Sequence, residues 1–244
     1  MIIIFRRWKL YLIAILFFSL LFSLQQFKLA EKILETNPLA DRTIVIDPGH
    51  GGIDGGTSYN NLLEKNLNLE VGLKLRELLE ARDNLTVIMT RDEDTALDHL
   101  NQYSRSRHQR DLMARIDIVN QEEVDLFISL HIDARTGQPG MQGPTVLYYP
   151  RHRQNQKVAE ILQKHLNQIE YPNFNPPAHH ARQRDFYILK AKKTPGVIIE
   201  LGFITNHLNR KLLQQDTYQQ ALVKAIYEGI EEYFSSFSFL TGDF

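Results

Sequence analysis

Hydrophobic and polar positions follow two different periods along this chain. Short apolar, β-branched runs predict buried strands at 43–46, 85–90, 126–132, 145–149 and 196–201. Between these runs, apolar positions recur at helical spacing and predict amphipathic helices at 64–80, around 112–119, at 158–169 and at 217–234. Strands and helices therefore alternate from residue 43 onward.

This alternation predicts an α/β fold: a single-domain sandwich with a mixed, mostly parallel central sheet flanked by helices. The chain has 244 residues, enough for one sizeable hydrophobic core. In sheets of this kind, the residues just past the strand ends line the ligand crevice. Functional side chains are therefore expected where the strands end.

The N-terminal segment has a different pattern. Three basic residues within the first nine positions precede an apolar stretch at 10–24, which is typical of an export signal or a membrane anchor. Ala30 is the sole small residue in a cleavage-like position, and its context is poor. We expect an uncleaved signal-anchor and linker over residues 1–35 and a catalytic domain over residues 36–244, outside the membrane.

Composition limits the kinds of metal site and binding partner that this chain can have. The chain has no cysteine, which excludes disulfides and thiolate metal sites, so any zinc ion must be held by His, Asp or Glu. Its formal net charge is -1, and no basic stripe is interleaved with aromatic residues, so nucleic acid is not an expected partner.

Two histidines lie at the ends of predicted strands. His50 follows the first strand in TIVIDPGHGG, and His131 lies at the end of LFISLHI. Histidines at neighbouring strand ends can converge on a metal ion. They can also hydrogen-bond within a core, and His50 could simply pack in a tight turn. The residues alone leave these interpretations open.

A carboxylate is the expected third ligand. Glu64 lies 14 positions after His50, at the first turn of the next predicted helix. A glutamate there can also serve the helix dipole, which is the ordinary interpretation. As a ligand, it would complete a His, Glu, His set that leaves a tetrahedral zinc ion one open position, as a hydrolytic site needs.

Glu200 lies inside the apolar run GVIIEL. A charged, unpaired carboxylate is costly in such a place, so the residue needs a partner or a purpose. A salt bridge is one interpretation. Beside an activated water molecule, Glu200 would be a general base and then an acid toward the leaving amine, which indicates an amide or peptide hydrolase. No H-E-x-x-H motif occurs, which excludes the helix-borne metalloprotease arrangement.

Six motifs then occur in a fixed order: IDPGHGGIDGG, LLEKNLNLEV, MTRDED, DLMARIDIVN, FISLHIDA and VIIELGFITN. With them, residues 43–235 resemble the zinc-dependent N-acetylmuramoyl-L-alanine amidases of bacterial cell walls. The resemblance implies one zinc ion held by His50, Glu64 and His131, with Glu200 as the catalytic glutamate. It also implies that the glycines beside His50 leave room for zinc and a wall glycopeptide.

The short chain and its single N-terminal apolar segment are most similar to the germination-specific type of this family. That resemblance implies peptidoglycan of the spore cortex as substrate and removal of its stem peptides on the way to muramic-δ-lactam. A peptidoglycan deacetylase would act on the bared sugar, and an accessory activator protein is a further expected partner. The enzyme would be membrane-anchored with an extracytoplasmic catalytic domain, in the forespore envelope.

Two further residues are candidates for the site. Arg115 matches a family arginine, either in the site or in a structural role, with a surface helix arginine as the alternative. Asp133 stands where relatives often carry Asn. A carboxylate near the metal could strengthen the support of the metal ligands or alter the pKa of the bound water, so the family's usual pH behaviour is not assumed for this chain.

Two rival functions remain open: a peptidoglycan-binding protein without turnover, and a zinc carboxypeptidase acting on stem peptides. His179 and His180 invite a second metal site, but they lie in a loop rich in Pro and Arg. We expect that loop to be solvated or to face the substrate.

Overall fold

The computed structural model describes residues 2–35, 37–121, 123–151, 153–190 and 194–241. The chain divides into two compact units, Met1–Pro38 and Leu39–Phe244. The first contains one helix, and the second contains the sheet and the candidate site residues.

Helix α1 spans Ile2–Glu35, 34 residues and about 50 Å at 1.5 Å per residue. Its window Tyr11–Lys28 has a mean hydropathy of 1.5, and the side chains of residues 11–28 are exposed. By length and composition this helix can cross a membrane, a test that a signal sequence would also pass.

The second unit is built on a six-stranded sheet whose strands are β1 (Arg42–Pro48), β4 (Leu85–Met89), β5 (Leu126–Asp133), β6 (Thr145–Tyr148), β7 (Arg182–Gln183) and β8 (Gly196–Phe203). A separate short hairpin pairs β2 (Ser58–Tyr59) with β3 (Leu62–Leu63). The order in the sheet is β4-β1-β5-β8-β6-β7. The pairs β4–β1, β1–β5, β5–β8 and β6–β7 are parallel, and β8–β6 is antiparallel. The predicted mixed, mostly parallel sheet is therefore confirmed.

Five helices surround the sheet: α2 (Glu64–Glu80), α3 (Arg107–Val119), α4 (Arg153–Leu166), α5 (His207–Leu213) and α6 (Asp216–Thr241). Helix α4 begins five residues earlier than its apolar pattern predicts. Helix α5 escapes the pattern because its seven residues are too few to show a period, although Asn206 caps it by accepting the N–H of Asn209. Two 3-10 turns lie at Asp98–Leu100 and Tyr187–Lys190.

Both faces of the sheet are buried, so strand residues alternate between two cores. Ile44 and Ile46 of β1 pack in the core that holds α2, α4 and α6, whereas Val45 packs in a smaller core with α3. Because β1, β5 and β8 are parallel neighbours, their carboxyl ends meet at one edge of the sheet. This edge carries the candidate site residues.

Candidate active site

His50 lies in the sharp turn that follows β1. Its φ is 63°, in the left-handed region that few non-glycine residues adopt. The turn is held by two buried arginines: Arg115 donates to the carbonyl of His50 (2.7 Å), and Arg91 donates to that of Gly49 (3.1 Å). The strained backbone conformation is therefore fixed by the surrounding structure.

Glu64 is the first residue of α2, and its side chain is almost completely buried. Its Oε2 accepts the N–H of Thr57 (2.7 Å), and its Oε1 accepts the N–H of Ile132 (2.9 Å). The carboxylate therefore ties the hairpin region to the end of β5, and its one bond to its own helix is a longer one from Asn68 (3.4 Å). The ordinary interpretation, a carboxylate that serves the helix terminus, does not account for this geometry.

The three candidate ligands converge. His50 Nε2 lies 3.3 Å from Glu64 Oε1, and His131 Nδ1 lies 3.0 Å from the same oxygen. Each residue offers one ligand atom, and the three atoms lie within 4.8 Å of one another. Two imidazole nitrogens and a carboxylate oxygen are a donor set that suits zinc. These side chains could therefore hold a metal ion, and no second such group occurs among the residues that the structure describes.

Two glycines allow the candidate ligand side chains to lie this close together, and two others have a different role. A Cβ on Gly49 would lie 2.3 Å from the His131 ring, and one on Gly56 would lie 2.6 Å from Glu64 Oε2. The neighbouring Gly51 and Gly52 instead pack against the backbone of residues 95–96. The expectation that all glycines beside His50 leave room for a ligand is wrong for these two, which serve the packing of the loop.

The protonation of each candidate ligand depends on the charges of its neighbours. Burial disfavours the imidazolium of His50, but its hydrogen bonds to Glu64 and Asp54 outweigh burial and raise the pKa of His50 to about 9. Burial also disfavours the carboxylate of Glu64, yet the two histidines hold the pKa of Glu64 far below its usual value. The site therefore keeps an anionic carboxylate between two imidazoles.

Glu200 lies on β8 directly opposite His131 of β5. Its Oε2 is shielded from solvent and has no hydrogen-bond partner within the described part of the chain. Burial, followed by the negative charges of Asp133 and Glu64, raises the pKa of Glu200 to about 8. No described residue forms a salt bridge with Glu200, so that interpretation is not supported, and Glu200 is one of the residues that line a cavity.

Asp54, inside the GHGGIDGG stretch, belongs to the site but is not among the residues predicted from the sequence. Its Oδ2 lies 2.8 Å from His50 Nδ1, so the other ring nitrogen of His50 faces Glu64. A carboxylate hydrogen-bonded to the far nitrogen is a common way to orient a metal-binding histidine. Its position four residues after His50 was the available signal.

Arg115 is buried on α3, so the alternative of a surface arginine is wrong. Its guanidinium contacts Asp47, Asp111 and the carbonyls of Pro48 and His50. Burial opposes the charge of Asp47, but Arg115 and two hydroxyl groups outweigh it and lower the pKa of Asp47. Arg115 therefore holds the main chain of the His50 turn in place through these two carbonyls.

Asp133 lies at the end of β5, two residues beyond His131. It forms an ion pair with Arg135 (2.9 Å) and accepts the N–H of Ala134 (2.7 Å). Its negative charge raises the pKa of Glu200.

The loop with His179 and His180 lies apart from the ligand group. His179 is half-buried, and its Nε2 lies 2.8 Å from the carbonyl oxygen of Gln142. Its main chain exchanges two hydrogen bonds with the side chain of Asn167. His179 therefore fixes its loop to the end of α4 and to the loop before β6, whereas His180 is exposed.

Two cavities share their walls beside the candidate ligands. The larger, about 520 Å³, is lined by His50, Glu64, Arg107 and His108, among others. The smaller, about 270 Å³, is lined by His50, His131, Glu200, Phe186 and Tyr187, among others. Because His50 lines both, the candidate ligands lie between two halves of one groove.

Known protein families and sequences are similar to this chain over most of its length. A family model described as N-acetylmuramoyl-L-alanine amidase matches residues 44–232. The germination-specific N-acetylmuramoyl-L-alanine amidase of Bacillus subtilis is 37% identical over 201 residues, which cover 81% of this chain and 82% of that protein. The probable cell wall amidase LytH of Staphylococcus aureus is 31% identical over 210 residues, 85% of this chain and 63% of that protein.

Solved structures agree. The CwlD amidase from Clostridioides difficile, determined in complex with the GerS lipoprotein, aligns with a TM-score of 0.72 at 34% identity, covering 80% of this chain and 99% of that one. The N-acetylmuramoyl-L-alanine amidase from Clostridium difficile 630 aligns with a TM-score of 0.69 at 26% identity, covering 81% and 98%. The predicted fold, family and enzyme class are confirmed: this chain belongs to the N-acetylmuramoyl-L-alanine amidase family.

Proposed function

We propose that this chain is a zinc-dependent amidase that hydrolyses the bond between the lactyl group of muramic acid and L-alanine in peptidoglycan. His50, Glu64 and His131 would hold the single zinc ion, and Glu200 would act in catalysis. The observation that carries this proposal is the convergence of three ligand atoms within 4.8 Å, with the shielded carboxyl of Glu200 on the paired strand beside His131.

The role of each group in the reaction follows from its position in the site. Zinc, when bound, supplies Lewis-acid polarisation of a carbonyl and activation of water. Glu200 accepts the proton of the attacking water molecule and returns it to the amide nitrogen as the carbon–nitrogen bond breaks. A pKa near neutrality suits a group that must both accept and donate a proton. Asp54 holds His50 in one ring orientation while this occurs.

The first test is a mass spectrum of peptidoglycan fragments after incubation with the full chain in detergent, with zinc and in parallel with a chelator. Free stem peptides together with peptide-free muramic acid, formed with zinc and not with chelator, would support the proposal. Shortened peptides still attached to the sugar would overturn it in favour of a carboxypeptidase. Zinc binding without any product would favour a binding protein.

We also propose a role in the spore cortex. The relatives from Bacillus subtilis and Clostridioides difficile support it, since one is named germination-specific and the other is a CwlD amidase. Deleting the coding sequence should then leave spores without muramic-δ-lactam, and their muropeptides can be measured by chromatography. Normal lactam content in such spores would contradict this role while leaving the amidase activity intact.

The location and partners are further parts of the proposal. Helix α1 would anchor the chain with its catalytic unit outside the cytoplasm, as action on a cell wall requires. Because the CwlD amidase from Clostridioides difficile was determined with a lipoprotein, a protein of that class would be an accessory partner here. A peptidoglycan deacetylase would use the bared sugar. Protease accessibility in intact cells and spores tests the orientation of the chain.

A further inference from the structure

The groove beside the candidate ligands has two chemically different halves. Arg107 lines the larger cavity and not the smaller one, whereas Phe186 and Tyr187 line the smaller cavity and not the larger one. His50 lines both. A substrate whose scissile carbonyl reaches the metal centre must therefore extend into one half on each side of that bond.

The larger half offers a cation that nothing in the described chain neutralises. Four carboxylates also line this half, and each is engaged by a basic group, in the pairs Asp54–His50, Glu64–His131, Asp98–Arg110 and Asp111–Arg115. Arg107 is exposed and forms no ion pair within the described residues. His108 follows it and lines both cavities. This wall is left free to bind an anionic group.

The smaller half also has charged walls, but its arginine, Arg115, is paired with Asp47 and Asp111, and it adds exposed aromatic surface that the larger half lacks. Phe186 and Tyr187 are 44% and 54% exposed, although the following Ile188 and Leu189 are buried in the core beneath them. The two aromatic side chains are therefore presented to the groove by a firmly anchored turn. Exposed aromatic surface beside an active site is typical of a ligand-binding wall, and the C–H face of a pyranose ring matches it.

We infer that the substrate binds in one direction, with a carboxylate of the stem peptide at Arg107 and His108 and the sugar on Phe186 and Tyr187. The inference rests on the proposed function, because it assumes a glycopeptide substrate. The acidic residue that follows L-alanine in the stem carries a free carboxylate next to the scissile bond, and the glycan carries no such charge on the other side. The half with the unpaired arginine, Arg107, therefore receives the peptide.

The test is a set of dissociation constants for the full-length, zinc-loaded chain carrying Glu200→Gln, which removes turnover. The ligands are a disaccharide tripeptide in which D-glutamate is joined to the third residue through its γ-carboxyl and keeps its α-carboxylate free, and the same molecule with that α-carboxylate amidated. Adding Arg107→Gln should weaken binding of the free acid by about tenfold and leave the amidated ligand within about twofold. Arg107→Lys, which keeps the charge, should retain most of the preference for the free acid.

A substitution in the smaller half, which is assigned to the sugar, should affect both ligands alike. Tyr187→Ala should weaken both ligands equally and by several-fold, since it removes a contact to the glycan. Arg105→Gln and Tyr103→Ala are matched controls, because both residues are exposed and line neither cavity. These two changes should alter neither dissociation constant.

An equal effect of Arg107→Gln on both ligands would overturn the inference. So would a Tyr187→Ala effect confined to the free acid, or failure of the parent chain to bind either ligand. Hydrolysis by the chain without Glu200→Gln is scored separately. A charge-dependent binding pattern without hydrolysis would sink the proposed function alone, and hydrolysis without that pattern would sink the binding direction alone.

Discussion

His131 and Glu200 are direct partners in the parallel pairing of β5 with β8. This register places a candidate metal ligand and a candidate proton acceptor side by side at one edge of the sheet, although 69 positions separate them in sequence. Both strands are held rigidly in the sheet, so the relation between the two side chains does not depend on a loop.

Glu200→Gln should abolish hydrolysis while leaving zinc affinity unchanged. The amide keeps the size of the side chain and loses its capacity to accept a proton, which costs on the order of 10²–10⁴ in kcat. Zinc affinity by calorimetry and release of stem peptide by chromatography check the two halves of this prediction. Near-normal turnover would remove Glu200 from the mechanism.

His50→Ala should lose zinc as well as activity. It removes one of three ligand atoms that lie within 4.8 Å of one another, and two remaining ligands hold zinc poorly. The metal content of the purified protein, measured by mass spectrometry, is the readout. His99→Ala is the matched control, because His99 is exposed and lies outside the ligand group; equal zinc content in the two variants would refute the assignment of His50.

Asp54→Ala should weaken zinc binding by about 10- to 100-fold, because the ring of His50 loses the carboxylate that orients it. Asp54→Asn should have a smaller effect, since the amide oxygen can still accept the ring N–H. A zinc titration with a competing chelator distinguishes the variants. If Ala and Asn substitutions both leave the affinity unchanged, the hydrogen bond has no orienting role.

Asp133→Asn should move the acidic limb of the pH–rate profile to lower pH. After burial, the charge of Asp133 is the next cause that raises the pKa of Glu200, and its loss lowers that pKa. Because the proposed base must be ionised to accept a proton, activity would then begin at a lower pH. The measurement is kcat/KM between pH 5 and 9; an unshifted limb would show that Asp133 does not influence the base.

Arg115→Met should destabilise the fold by about 3–5 kcal/mol at neutral pH, because the buried carboxylate of Asp47 loses its charged partner. The folded state lowers the pKa of Asp47 below its usual value. This contribution is therefore present above pH 4 and lost as pH falls through the folded-state pKa. Urea unfolding at pH 7 and pH 3 should show the difference between variant and parent shrinking in acid.

The matched control for that experiment is Arg105→Met. Arg105 is exposed and lies just before α3, so its replacement should change the free energy of unfolding by less than about 0.5 kcal/mol. A comparable loss in both variants would indicate a general effect of charge and not the buried pair.

Much of this protein is determined by its sequence. The apolar runs of β1, β5 and β8 mark buried strands because they are short and rich in residues that favour extended backbone. Their parallel order follows from the intervening helices. With the motifs around them, these runs were enough to predict the family and to single out His50, Glu64, His131 and Glu200.

The tertiary structure decided what those residues touch. Convergence of the ligand atoms depends on strand register, which no local pattern encodes. The burial of Arg115 and the hydrogen bond from Asp54 to His50 depend on how the helix and the loop pack around one turn. The two halves of the groove likewise combine α3 with a turn some 80 positions later. Contacts between distant segments follow from packing, and the sequence pattern records only which faces are apolar.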